Sequence, residues 1–213
     1  MLRLMLATNN PGKAAELRDI LALHPHLRAV TLLTPRDWPT LLPEVAETGA
    51  SFAGNARLKA EALASATGLP ALADDSGLCV DALGGAPGLY SARWAGPEAS
   101  DADRNAKLLL ALADVPPELR TARFVCATAL ALPGGPTVTS EGVCEGILLD
   151  APRGTSGFGY DPLFLLPGPN RTMAELTPEE KNTLSHRAQA VSRLSSHFYD
   201  FLNRPAPVIN TAV

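Results

Sequence analysis

The chain has 213 residues, of which 46% are hydrophobic and 19% charged, and its formal net charge at pH 7 is −4. This is the composition of an ordinary globular protein, long enough to bury a core without staples. The acidic balance argues against a nucleic-acid polymer as partner, which would call for a basic surface, and no apolar run approaches the roughly 20 residues that span a bilayer.

The elements alternate. "LRLMLAT" (2–8) reads as a buried strand, "NNPGK" interrupts it, and "GKAAELRDILAL" predicts a helix with Leu17, Ile20 and Leu21 on one face. "VTLLT" (30–34) is a second strand, and the proline- and glutamate-bearing segment 35–50 a loop. "SFAGNARLKAEALASATG" (51–68) predicts a helix capped by Ser51, stopped by Gly68 and anchored by Phe52, Leu58 and Leu63. "PALAD" and "LCVDAL" are extended segments on either side of Asp74 and Asp75, with a turn expected at Ser76–Gly77. Residues 101–113 predict a helix that begins with a capping aspartate. Two apolar runs around "PGGP" in 121–150 predict a hairpin, and "FGYDPLFLLPG" a short strand after a glycine-rich loop. The last helix is expected to run over 177–202, with Thr177, Pro178 and Glu180 forming its start and Leu184, Ala188, Val191, Phe198 and Leu202 its buried stripe. The fold class is therefore α/β with a mixed sheet, because the hairpin has to be antiparallel. One domain is expected over 1–204, followed by a tail, 205–213.

Cys79, Cys126 and Cys144 stand far apart among apolar neighbours. They read as small buried hydrophobes in a reducing cytoplasm, not as disulfides or a metal site. The basic residues are more informative: 14 are arginines and only four are lysines, Lys13, Lys59, Lys107 and Lys181. A lysine kept against that bias marks a place that wants a compact, flexible ammonium instead of a planar fork.

Candidate chemistry gathers at five places. "TNNPGK" (8–13) opens a helix after a glycine turn, so its amides and Lys13 suit a phosphate, although the P-loop spacing is absent. A plain strand-to-helix turn with a surface lysine is the alternative. Asn55 and Lys59 are four apart and share a helix face; such a lysine is otherwise simply solvated. Asp74 and Asp75 project to opposite sides of an extended chain. One is expected to face a ligand, as a carboxylate that could hold Mg²⁺ with Glu47 as second ligand, and the other to bond the Ser76–Gly77 turn. "GTSGFGYDPLF" (154–164) brings Phe158, Tyr160 and Asp161 together, a stacking face beside an acceptor for a nucleobase or else a tight turn with core aromatics. "EEKNTLSHR" places Lys181, Ser185, His186 and Arg187 within two turns, either as ligand contacts near a bend or as a solvated face.

Taken together, "LATNNPGKAAEL", "ETGASFAGNARLKA", "ALADDSGLCVDALGGAPGLYSARWAG", "GTSGFGYDPLF" and "AELTPEEKNTLSHR" resemble, in order and over nearly the whole chain, the inosine/xanthosine triphosphate pyrophosphatase family, also called Ham1-like proteins. The resemblance implies an elongated mixed sheet with helices in two lobes around a deep nucleotide-binding cleft, as a homodimer. It also implies Mg²⁺-dependent hydrolysis of ITP, dITP and XTP to the monophosphate and pyrophosphate. By the same resemblance Thr8, Asn9, Asn10, Pro11, Gly12 and Lys13 form the triphosphate loop, and Lys59 is a second phosphate contact. Glu47 and Asp75 bind the metal, with Asp75 also the base for the attacking water. Ser76 touches substrate, and Phe158, Gly159, Tyr160, Asp161, Lys181, His186 and Arg187 read the base. One departure is Gly54, where the family often has glutamate. Rival readings are a nucleotide-binding module without turnover and a phosphotransferase using the N-terminal loop; the carboxylates with their lysines count against the first, the missing P-loop against the second.

Overall fold

The computed structural model describes residues 2–202, so the expected tail, 205–213, lies outside the described residues. Seven strands form one mixed sheet flanked by helices, in the order β2-β1-β3-β4-β5-β6-β7. The strands are β1 (Arg3–Leu6), β2 (Thr31–Leu33), β3 (Ala71–Val80), β4 (Thr121–Ala131), β5 (Thr137–Leu148), β6 (Phe164–Leu166) and β7 (Arg171–Thr172). The helices are α1 (Pro11–Ala22), α2 (Phe52–Thr67), α3 (Asp101–Ala111), α4 (Pro178–Leu184) and α5 (His186–Leu202). β1 runs parallel to both β2 and β3, with Met5 opposite Leu33 and Ala71, whereas β6 runs antiparallel to β5 and β7.

The chain divides into two compact units. One takes in the chain up to Asp75, Ala127–Ser140 and the chain from Val191; the other takes in Ser76–Cys126 and Glu141–Ala190. The first unit has an alanine-built core, in which Ala56, Ala60 and Ala64 of α2 pack with Ala71 and Ala73 of β3 and with Ala127, Ala129 and Ala131 of β4. Side chains this small let a helix lie close to a sheet, and the neighbouring positions on α2 gain reach toward the strand ends. The second unit has a larger, aromatic core that includes Leu78, Leu108, Phe124, Tyr160, Phe164 and Met173.

Several local expectations change. Residues 71–80 form one continuous strand, with no turn at Ser76–Gly77. The backbone stays in the ladder because both aspartates are met by cations, Asp74 by Lys13 and Asp75 by Lys59. The last helix is broken at Ser185, whose ψ is 157°. Its amide closes α4 on the Lys181 carbonyl and its hydroxyl accepts from the Ala188 amide, so one serine ends a helix and caps the next. In α3 the cap is Ser100, in a capping box with Asp103, and Asp101 sits in the first turn. Leu58 and Leu184 are 38% and 45% exposed and anchor nothing, whereas Leu63, Ala188, Val191 and Phe198 are buried as expected. The Leu202 side chain lies outside the description. Cys126 and Cys144 are buried and Cys79 is half-buried, all three as free thiols.

Candidate active site

In the first unit the chemistry starts at the end of β1. The Asn10 side chain caps α1 by accepting from the Lys13 amide, and the Thr8 hydroxyl accepts from the Asn10 amide, which folds "TNNPGK" tightly onto the helix start. Pro11 opens the helix, and Asn9, Asn10 and Pro11 are exposed. Lys13 turns back to Asp74 at 3.2 Å, and the Asp74 side chain is fully buried. A buried carboxylate needs such a partner.

Asp75 stands at the centre of a second cluster. Asn55, 1% exposed on the alanine face of α2, donates from Nδ2 to Asp75 Oδ2 at 2.9 Å and accepts the Gly49 amide on Oδ1 at 2.8 Å. One turn along the same face, Lys59 Nζ lies 2.8 Å from Glu47 Oε1 and 3.5 Å from Asp75 Oδ1. Burial pushes the Asp75 carboxyl above the usual aspartate range, against the pull of Lys59, Asn55 and Lys13. Burial also disfavours the Lys59 ammonium, yet the surrounding Asp75, Asp74 and Glu47 carboxylates more than offset it and hold its pKa above the ordinary lysine value. Lys13, Lys59, Glu47, Asp74 and Asp75 therefore form one electrostatic patch. Asn55 belongs to it and was visible in the sequence only as a residue sharing a helix face with Lys59. Gly54, beside it, donates its amide to Ser51 Oγ in the helix cap.

The donor set suits a hard cation. Glu47 and Asp75 already share the charge of one ammonium, and Mg²⁺ takes one or two carboxylates and leaves its other positions to water and phosphate oxygens. Among the described residues no cluster of three or more His, Cys, Asp or Glu could hold a metal by itself. A metal held by Glu47 and Asp75 would take its other ligands from water and phosphate oxygens.

The second unit presents an aromatic face rimmed by donors. Lys181 Nζ and Arg187 Cζ lie 5.0 and 5.9 Å from the centroid of the Phe158 ring. The Lys181 ammonium bonds Asp161 Oδ2, which also accepts the Phe158 amide at 3.0 Å. Arg187, only 1% exposed, donates from Nη2 to Ser76 Oγ at 3.0 Å. The His186 ring stacks on Phe124 at 4.8 Å and 15°. Gly157 adopts φ +78°, and any Cβ there would collide with Asp161 and crowd Lys181, so only glycine permits the loop to close on that pair. Tyr160 is 4% exposed, belongs to the core, and donates its hydroxyl to the Ser91 carbonyl. Thus Ser76, Phe158, Asp161, Lys181 and Arg187 are brought together, His186 is fixed by Phe124, and Tyr160 supports the loop from below.

Residues 4–197 match the model of the Ham1 family. The chain is 50% identical over 202 residues to the dITP/XTP pyrophosphatase of Geobacillus kaustophilus, covering 95% of this chain and 97% of that protein. It is 56% identical to the Streptomyces coelicolor protein of the same name, covering 91% of this chain and 96% of the other. Among solved structures, a HAM1 protein from Coxiella burnetii superposes with a TM-score of 0.82 at 42% identity, covering 94% of this chain and all of that one. With its seven-stranded mixed sheet and its lysine–carboxylate and phenylalanine clusters, the chain belongs to the Ham1 family.

Proposed function

We propose that this protein hydrolyses the non-canonical purine nucleoside triphosphates ITP, dITP and XTP to the monophosphate and pyrophosphate. The relatives at about half identity are named dITP/XTP pyrophosphatases. The first unit supplies the phosphate chemistry: Lys13, Lys59 and the amides at the start of α1 offset the triphosphate's charge and that of the departing pyrophosphate. Asp75 orients a water toward the α-phosphorus and takes its proton. Glu47 and Asp75 would hold Mg²⁺, which when bound would neutralise phosphate charge and polarise the phosphoryl oxygens.

The observation that carries the choice of base is the donor rim around Phe158. Lys181 and Arg187 offer only donors, and the Asp161 oxygen nearest them is already taken by Lys181 and the Phe158 amide. Hypoxanthine and xanthine bring oxo acceptors to such a rim. Adenine brings a 6-amino donor and guanine a 2-amino donor, each facing donors, at a cost of roughly 1–3 kcal/mol per unpaired group. Homodimer formation and a cytoplasmic location belong to the same proposal. No helix of the described residues is long and apolar enough to cross a membrane.

The metal half of this reading is tested by pyrophosphate release from ITP at increasing Mg²⁺. Activity should vanish with EDTA and return with Mg²⁺, and Glu47→Gln should raise the Mg²⁺ needed for half-maximal rate about 10–100-fold. Full activity in EDTA would refute it.

A further inference from the structure

Phe158 stands on a largely exposed loop, tied at its start by the Ser156 amide to the Ala174 carbonyl. Residues 151–157 are exposed, and Gly159 has no heavy atom within 4 Å of the place a Cβ would occupy. Thr155, Ser156, Gly157, Phe158 and Gly159 line one wall of a cavity of about 440 Å³, with α3 forming another. Hydrogen bonds hold the Phe158 backbone. Its own amide goes to Asp161 Oδ2. The next amide, that of Gly159, donates to Asp101 Oδ2 at 2.7 Å, and the Gly159 carbonyl accepts from Asn105 Nδ2 at 3.0 Å. Asp101 and Asn105 are one helical turn apart on the same face of α3. They grip both backbone groups of Gly159, whose φ is +65°.

Asp101 is itself held. Arg104 bonds its other carboxylate oxygen, and Arg104 is tied in turn to the carbonyls of Ala92 and Ala99. The path from a rigid helix to the Phe158 ring is therefore short: Arg104, Asp101, the 158–159 peptide, the ring.

We propose that Asp101 and Asn105 are positioning residues for base recognition, setting the plane of the Phe158 ring through the Gly159 peptide. The inference rests on the reading of the Phe158 cluster as the base-recognition site. Neither side chain is required to touch substrate.

The test compares two substrates, ITP and ribose 5-triphosphate, which keeps the sugar and phosphates and lacks the base. Asp101→Ala and Asn105→Ala should each raise KM for ITP about tenfold, the effect of one lost well-placed hydrogen bond, with kcat changed less than about threefold. KM for ribose 5-triphosphate should not move, and selectivity for ITP over GTP should fall. Asp101→Asn keeps an oxygen acceptor for the Gly159 amide and should restore most of the ITP KM, as a purely structural ion pair with Arg104 would not. Unchanged KM for ITP in an active wild-type background, or equal losses on both substrates, would overturn this inference alone. Absence of pyrophosphate release from ITP by the wild type would instead overturn the reading beneath it. Should Asp101→Ala not fold, Asn105→Ala and Asp101→Asn carry the same comparison.

Discussion

At the residue scale the decisive feature is a carboxylate under tension between burial and its partners. Asp75 sits where ionisation is costly, and Asn55, Lys59 and Lys13 oppose that cost without cancelling it. Replacing it by asparagine keeps the volume and removes both the charge and the base. Asp75→Asn should lower turnover of ITP about a hundredfold or more while ITP binding remains measurable by calorimetry; unaltered turnover would remove Asp75 from the mechanism. Asn55 acts through Asp75, fixing one carboxylate oxygen so that the other faces Lys59. Asn55→Ala should therefore depress kcat about 10–100-fold, in the manner of other groups that orient a reactive carboxylate, with little change in the circular dichroism spectrum. Much of this was legible beforehand. The scarcity of lysine singled out four residues, of which Lys13, Lys59 and Lys181 have an acidic partner here, Asp74, Glu47 with Asp75, and Asp161, whereas Lys107 bonds the Trp94 carbonyl. The role of Asn55 was not legible, because an asparagine on a helix carries no charge signal and its partner lies twenty residues away.

At the element scale, the misread segments share a cause: local composition was overruled by distant partners. "ADDSGL" looks like a turn because Asp, Ser and Gly favour turns. It is a strand because Lys13 and Lys59, remote in sequence, neutralise its two charges. The helix 177–202 looks continuous because its apolar stripe keeps period across Ser185, yet Ser185 can cap as easily as it can continue. The break puts His186 and Arg187 on the first turn of α5. That turn lies against β5 at Gly142, where a Cβ would be 2.6 Å from the Ala190 amide nitrogen and closer still to the His186 carbonyl. Gly142→Ala should destabilise the protein by about 1–3 kcal/mol through forced displacement of the helix start, read as a lower midpoint in thermal denaturation. It should also weaken ITP binding by moving Arg187 away from Ser76. An unchanged midpoint would show that α5 is not seated by this contact.

At the scale of the whole molecule, each unit gathers one kind of chemistry. One gathers lysines and carboxylates suited to a triphosphate; the other gathers an aromatic face and donors suited to an oxopurine. Asp75 is the last residue of one unit's first segment and Ser76 the first of the other's, so a single strand, β3, carries chemistry of both kinds. The class of fold and the antiparallel hairpin followed from periodicity, and most members of the two clusters from the motifs and the family resemblance they carry. What the sequence did not carry was the grip of α3 on the Phe158 loop, since "DADRN" reads only as a helix start.

The proposed activity is defined by where the triphosphate is cut and which base is accepted. Incubation with ITP, XTP, ATP and GTP in Mg²⁺, scoring pyrophosphate separately from orthophosphate, decides both at once. Pyrophosphate with IMP or XMP is expected from the first two and at least tenfold less from the last two, the discrimination that one unpaired donor gives. Orthophosphate as the product, or equal pyrophosphate from ATP and ITP, would contradict the proposed activity.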